Sequence, residues 1–149
     1  MRWIVHLLAL VSLSLTLVGC TTSVREEIPF TVIAEGDTAA DYPDQQGIVI
    51  GSLAEWEELW SQLRGYTIPQ PAVPELEFTQ YTVLAVFAGE KRSGGYTVQV
   101  ERVIQTDQAV IVRVTETAPG TDQMTTAQIT YPYQVVKIPH TSLLVRFDF

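Results

Sequence analysis

The feature that most constrains the fold is the apolar run TVLAVFAG, from Thr82 to Gly89, with the two segments that follow it. A short, nearly continuous apolar run that ends in glycine is typical of a central strand buried on both faces. The next segments, YTVQVERVIQ and AVIVRVTET, alternate apolar and polar residues, and only Thr106-Asp107-Gln108 separates them. Their alternation predicts an antiparallel hairpin with one face in the core.

The period of two assigns residues to the faces of that hairpin. One face of the first strand is predicted to carry Tyr96, Val98, Val100 and Arg102, and the other Thr97, Gln99, Glu101 and Val103. The second strand is predicted to bury Val110, Val112 and Val114.

One helix is predicted after Ser52, because Glu55 three residues later completes a capping box. Its apolar stripe consists of Leu53, Trp56, Leu59, Trp60 and Leu63. Gly65 stands where a C-terminal cap belongs. Tryptophans at helical spacing are usually core residues rather than a ligand box, and we expect Trp56 and Trp60 in the core.

The remaining segments favour strands over helices. IPFTVIAEG, GIVIGS, QVVKIPH and SLLVRFDF are predicted strands, whereas YTIPQPAVPE, with three prolines, is predicted to connect the helix to the sheet. We therefore expect an α+β, mostly β fold: an antiparallel sheet, sandwich- or barrel-like, with one capped amphipathic helix.

The N-terminal segment MRWIVHLLALVSLSLTLVGC has the cation and apolar run of a secretory signal. Its last four residues, LVGC, resemble the bacterial lipobox, which implies cleavage before Cys20 and acylation of that cysteine, palmitate being one such acyl group. Two or more acyl chains anchor a protein stably to a membrane. The predicted organisation is a signal peptide over 1–19, a lipidated tether over 20–27 and one β-rich domain over 28–149. The expected location is the extracytoplasmic side of a bacterial envelope membrane.

Composition excludes several classes of function. The net charge of the 149-residue chain is −8, and the mature chain carries −9 because Arg2 is removed with the signal. Such an acidic surface argues against nucleic-acid binding. Cys20 is the only cysteine, so no disulfide is expected. No phosphate-binding loop or zinc spacing is present, and the acidic stretch DTAADYPD lacks the ligand spacing of a calcium loop. We expect no metal and no cofactor.

Catalysis also lacks a candidate site. His140 is the only histidine after the signal, and it follows Pro139 in a predicted turn, where it would have to serve Ser93 or Ser142. The paired carboxylates Glu57-Glu58 and Glu26-Glu27 are sequence neighbours and point apart on a helix or strand. We therefore expect no enzymatic activity.

The stretch AGEKRSGGYTVQV, from Ala88 to Val100, leaves two interpretations open. Its glycine pair permits either a tight turn or a close backbone approach. Its two cations and Tyr96 suit a protein contact, but they equally suit a solvated turn beside a core tyrosine.

A resemblance covers this stretch. The segments FTQYTVLAVFAGEKRSGGYTVQVERV, VTETAPG and QITYPYQVVKIP, in that order, resemble the PrcB C-terminal domain family, named after a subunit of a secreted protease complex. The resemblance implies binding of another envelope or secreted protein, for example a protease that the domain holds or stabilises. The candidate partner-binding residues are Lys91, Arg92, Gly94, Gly95 and Tyr96 in one loop and Thr125, Thr126, Tyr131, Pro132 and Tyr133 in the other.

A fainter similarity leads to a second hypothesis. Ser93-Gly94-Gly95-Tyr96 is similar to a loop of chagasin-like inhibitors of cysteine peptidases, although the Asn-Pro of that loop and a second, Arg-Pro-Trp-like loop are missing. This similarity implies peptidase inhibition through the 90–96 and 125–133 loops.

Overall fold

The computed structural model describes residues 25–64 and 67–149, which form a β-sandwich with one helix. The elements in chain order are β1 (Glu26–Ile28), β2 (Thr31–Gly36), β3 (Gln46–Ile50), α1 (Leu53–Arg64), β4 (Tyr81–Phe87), β5 (Thr97–Gln105), β6 (Ala109–Thr117), β7 (Tyr133–Pro139) and β8 (Leu144–Asp148). One sheet has the strand order β1-β5-β6-β8 and the other β2-β7-β4-β3. The mostly β class is confirmed, in its sandwich form, because the strands do not close into a barrel.

Strand β4 lies between β7 and β3 and is buried on both faces, as its apolar run predicts. Val83, Ala85 and Phe87 belong to a core under the helix. The alternate residues Leu84 and Val86 belong to the core between the two sheets. One strand therefore contributes to both hydrophobic cores of the described residues.

The helix begins with the predicted capping box. The backbone N–H of Glu55 donates to Ser52 Oγ over 3.4 Å, and the Glu55 carboxylate accepts from the N–H of Gly51 at 3.0 Å. The Gly51 bond is the main cause of the lowered pKa of Glu55. No helix in the described ranges is long and apolar enough to cross a membrane.

Both tryptophans are core residues, which confirms their predicted role. Trp56 and Trp60 are buried, and their indole N–H groups donate to the carbonyls of Pro74 at 2.9 Å and Pro71 at 3.2 Å. These two bonds hold the proline-rich connection against the helix. Leu53 is 54% exposed, so the buried stripe begins one turn later than expected. Gly65, the predicted cap, lies outside the described residues.

The β5–β6 hairpin has the predicted strands but a different face pattern. The register shifts between Val100 and Arg102, which marks a β-bulge at Glu101. After this extra residue the alternation reverses, so Val103 joins Val98 in the core and Arg102 is exposed. The predicted placement of Arg102 beside Val100 is therefore wrong. Val110, Val112 and Val114 are buried as predicted.

Two strand assignments also differ from expectation. Pro29 and Phe30 divide the predicted strand IPFTVIAEG into β1 and β2, which lie in different sheets. Strand β1 pairs with β5 and includes Glu26 and Glu27, which are the last two residues of the expected tether. Strand β8 pairs parallel to β6, so this sheet is not purely antiparallel.

Substitution of Gly47 in β3 tests how β8 packs on the other sheet. A Cβ at this position would overlap the ring of Phe147, so the ring lies directly on the glycine backbone. We expect Gly47→Ala to lower the free energy of unfolding by about 1–3 kcal/mol, because the ring must move out of a packed core. Urea unfolding followed by circular dichroism measures the change.

Gly51→Ala is the matched control, since a Cβ at Gly51 meets no atom within 4 Å. Its expected effect is within about 0.5 kcal/mol. Equal stabilities for the two variants would contradict the proposed contact between Gly47 and Phe147.

Candidate functional site

The β4–β5 connection (88–96) and the β6–β7 connection (118–132) lie side by side at one end of the sandwich. Lys91 and Thr130 form an antiparallel bridge, in which each N–H donates to the other's carbonyl at 2.8 and 2.9 Å. The Thr130 hydroxyl donates to the carbonyl of Ser93 at 2.9 Å, and the Gly94 N–H donates to the carbonyl of Thr126 at 3.0 Å. The structure thus brings together the two loops in which the sequence placed its candidate residues.

The glycine pair Gly94-Gly95 is required by this close approach. A Cβ on Gly94 would lie 2.5 Å from the hydroxyl oxygen of Thr126. Gly95 has a φ of +89°, which side chains rarely tolerate, and its Cβ would lie 2.9 Å from Pro119. The pair therefore serves both structural purposes that the sequence allowed, a turn and a close backbone contact.

A third connection, residues 37–45 between β2 and β3, completes the same surface. The Tyr131 N–H donates to the carbonyl of Asp37 at 2.8 Å, and the Ala39 N–H donates to the carbonyl of Tyr131 at 3.2 Å. The Glu90 N–H donates to the carbonyl of Pro43 at 2.9 Å. We call the surface formed by 37–45, 88–96 and 118–132 the loop end. The first of these segments contains none of the candidate residues predicted from the sequence.

Lys91 and Glu90 of the loop end each have a side-chain partner within the protein. Lys91 Nζ lies 2.7 Å from the Glu116 carboxylate and 5.6 Å from the centre of the Tyr96 ring. The Tyr131 hydroxyl donates to Glu90 at 3.1 Å, and this bond is the main cause of the raised pKa of Tyr131. Arg92 is exposed and forms no ion pair with the described residues. Arg92 is therefore the cation available to a partner in this loop.

The candidate residues separate by exposure. The exposed ones are Arg92, Gly95, Thr125 and Thr126; the half-buried ones are Lys91, Tyr96 and Tyr131; the buried ones are Gly94, Pro132 and Tyr133. Tyr133 begins β7 and is 1% exposed in the core under the helix, where burial raises the pKa of its hydroxyl. Tyr133 is thus a core residue that supports the loop end and does not reach its surface.

Of the two serines considered with His140, Ser142 lines the same shallow pocket as the histidine, and Ser93 lies far from it. Ser93 follows β4, whereas His140 follows β7 at the point where Tyr81 of β4 pairs with Pro139. Seven residues of strand separate these two ends, which is roughly 20 Å. The described residues also contain no group of three or more His, Cys, Asp or Glu side chains that could hold a metal ion.

The chain enters the sandwich at the end opposite the loop end. Glu26 pairs with Gln105, beside the hairpin turn of β5 and β6, and a shallow pocket there is lined by Glu26, Thr106 and His140. Strand β5 then runs from this turn back to Thr97 beside the loop end, a distance of roughly 25 Å over nine residues. We call this opposite end the N-terminal end.

The contact between Gly94 and Thr126 can be tested with a double-mutant cycle. We expect Gly94→Ala to destabilise the protein by about 1–2 kcal/mol, because its methyl group would collide with the Thr126 hydroxyl. Thr126→Ala removes that oxygen, so the double variant is expected to recover most of the loss. Urea unfolding of the four proteins gives the coupling energy. Gly120→Ala is the control, since its Cβ would meet nothing nearer than 3.6 Å, and strictly additive effects would contradict the contact.

Comparison with known proteins gives a family match that includes two of the three connections at the loop end. The family model described as PrcB C-terminal matches residues 82–139, which run from β4 through β7 and include both the 88–96 and the 118–132 connections. No curated protein and no solved structure matches the chain. The resemblance to the PrcB C-terminal family is thereby confirmed for the segment from β4 to β7.

Proposed function

We propose that this chain is a lipid-anchored protein of the bacterial envelope and that its PrcB-like domain binds another protein at the loop end without catalysing a reaction. The observation that carries the proposal is the convergence of the two PrcB-like loops into one surface, joined by the Lys91–Thr130 bridge. A protease is the partner class that the sequence resemblance implies.

The loop end has the properties of a prearranged binding surface. Its backbone is fixed by hydrogen bonds between three connections, so little conformational entropy remains to be lost on binding. Its outer residues include Arg92, Thr125 and Thr126, and Met124, which is fully exposed. The flexible thioether of Met124 and the guanidinium of Arg92, on a backbone fixed by hydrogen bonds, suit contact with a protein surface.

The place where the chain enters the sandwich supports an orientation in which the loop end faces away from the membrane. Four residues, Thr21 to Val24, lie between the lipobox cysteine and Arg25, so Cys20 and Arg25 are at most roughly 17 Å apart. Arg25 leads into β1 at the N-terminal end. A lipid on Cys20 would therefore hold the N-terminal end near the bilayer and leave the loop end facing outward, where a partner can reach it.

Lipidation is tested by Cys20→Ser. We expect the native chain to incorporate a labelled fatty acid and to sediment with membranes, and the variant to lose the label, because the diacylglycerol is attached through the cysteine sulfur. Metabolic labelling with fractionation measures both. Ser23→Ala, also in the tether, is the matched control and is expected to leave labelling unchanged. Full labelling of the Cys20→Ser chain would contradict the anchor.

Binding at the loop end is tested by site-directed crosslinking. Arg92→Cys, expressed with its native lipobox, carries a thiol-reactive photocrosslinker at the loop end, and Asp107→Cys carries the same group at the N-terminal end. We expect Arg92→Cys and Thr126→Cys to capture one common protein, identified by mass spectrometry, and Asp107→Cys not to capture it.

Capture of the same proteins from all three positions, or of none, would contradict a binding surface at the loop end. A captured peptidase can then be assayed with the purified chain. Near-stoichiometric loss of its activity would favour the chagasin-like inhibitor hypothesis over a holding or stabilising role.

A further inference from the structure

Two edge strands lie beside each other on one side of the sandwich. Strand β8 is the last strand of one sheet, and β3 is the last strand of the other. They face each other across the core, because the Phe147 ring of β8 lies against the backbone of Gly47 in β3. On the opposite side the chain itself crosses between the sheets, at Pro29 and Phe30. We call the side formed by β3 and β8 the open side.

The residues of both edges are open to solvent over most of their length. Strand β8 alternates between exposed and half-buried residues, and Leu144 is 61% exposed. In β3 only Ile50 is buried, and the apolar side chain of Val49 is 43% exposed. Among the described residues, neither strand has a neighbouring strand on its outer edge. Edges of this kind carry free N–H and C=O groups that can accept another strand.

The two edges run in opposite directions. Strand β8 is parallel to β6, which runs from the hairpin turn at the N-terminal end to the 118–132 connection at the loop end. Strand β3 is antiparallel to β4, which also runs toward the loop end. A twofold axis along the strands therefore brings β8 of one copy beside β3 of a second copy as an antiparallel pair.

We infer that the protein forms a symmetric dimer in which β8 of each copy pairs with β3 of the other. This axis continues each sheet into the opposite sheet of the second copy, so both edges of the open side are used at once and the assembly is closed. It also keeps the two N-terminal ends on the same side, as two lipid anchors in one membrane require. The two loop ends then face outward together.

The contact at Gly47 gives the register of this pairing. Phe147 and Gly47 lie at the same position along the strands, and the axis preserves that position, so residue 147 of one copy lies opposite residue 47 of the other. Val145 then lies opposite Val49, and both face the core between the sheets, since Val49 pairs with Leu84 of that core. The pairing therefore extends the inter-sheet core and covers the exposed Val49.

The outer faces of the two strands are complementary in charge. Arg146 is exposed, forms no ion pair with the described residues and lies opposite Ile48 of the second copy in this register. Beside Ile48, a groove of about 250 Å³ lies between β3 and the helix. Its lining includes the carboxylates of Glu55 and Glu58 and no cationic residue. The guanidinium of Arg146 thus enters a groove of opposite charge.

Disulfide trapping in membranes tests the register, in which Gln46 lies opposite Asp148 of the second copy. Within one copy these residues lie on the two outer faces of the sandwich, on sheets roughly 10 Å apart, so a disulfide between them forms only between copies. The chain with Gln46→Cys and Asp148→Cys and its native lipobox is oxidised in isolated membranes. We expect a dimer band on a non-reducing gel that disappears on reduction.

The matched control is Gln46→Cys with Leu144→Cys. Residue 144 lies on the same face of β8 as residue 148 but four positions away, which is roughly 13 Å. We expect this pair to give little or no dimer band, because cysteines so far apart cannot be bridged without movement of the backbone.

Arg146→Glu tests the charge contact. We expect it to raise the dimer Kd about tenfold, because attraction to Glu55 and Glu58 becomes repulsion. Sedimentation equilibrium of the full chain, purified in density-matched neutral detergent, measures the Kd. Adding Glu58→Arg restores opposite charges and is expected to recover most of the affinity, which also shows that the variant folds. Glu57→Arg, one position along the helix and outside the groove, is the control and is expected not to recover it.

Three results would overturn the inference: a native chain that sediments as a monomer, as much dimer from the 46/144 pair as from the 46/148 pair, or an unchanged Kd in Arg146→Glu. The inference does not depend on what binds at the loop end, so capture by the crosslinker at position 92 tests the proposed function separately. If both hold, two loop ends on one dimer raise the avidity for a partner that is itself repeated.

Discussion

The burial of β4 on both faces is the constraint on which the rest of the structure depends. Val83, Ala85 and Phe87 pack under the helix, and Leu84 and Val86 pack between the sheets. Burial of a large aliphatic or aromatic side chain is worth about 1.5–3 kcal/mol, and this strand contributes such burial to both cores. The chain leaves β4 directly into the 88–96 connection, which joins the loop end to the strand that is buried on both faces.

Features decided by neighbouring residues could be predicted from the sequence. The buried run of β4, the capping box at Ser52 and the β5–β6 hairpin each depend on a period or a spacing within about ten residues. The bulge at Glu101 could not be predicted, because it depends on the register that β5 adopts with β6. The parallel pairing of β8 likewise depends on which sheet has a free edge when that strand is added.

In the candidate site, too, features set by neighbouring residues could be predicted and contacts between distant residues could not. Glycines at 94 and 95 predicted a turn or a close approach, but the partner of that approach is Thr126, which lies 32 positions from Gly94 and carries no recognisable signal. The 37–45 segment has only turn residues and acids, so nothing in it indicates contact with Tyr131. The family resemblance groups Tyr133 with the candidate partner-binding residues, whereas the pairing of Tyr133 with Gly36 directs it into the core. The resemblance to the family pattern places the two longer loops in one candidate site, whereas the residues of each loop alone give no reason to group them.

The contact of Phe147 with Gly47 has a consequence for when the protein can fold. The core between the sheets includes Phe147 among its packed side chains, and β8 pairs with β6, more than thirty positions earlier in the chain. During synthesis, a chain that has not yet reached residue 147 has an incomplete inter-sheet core and an unpaired β6 edge. Non-local pairings of this kind form slowly compared with helices. The sandwich is therefore completed only after residue 147 has been synthesised, and until then β6 lacks one of its two strand partners.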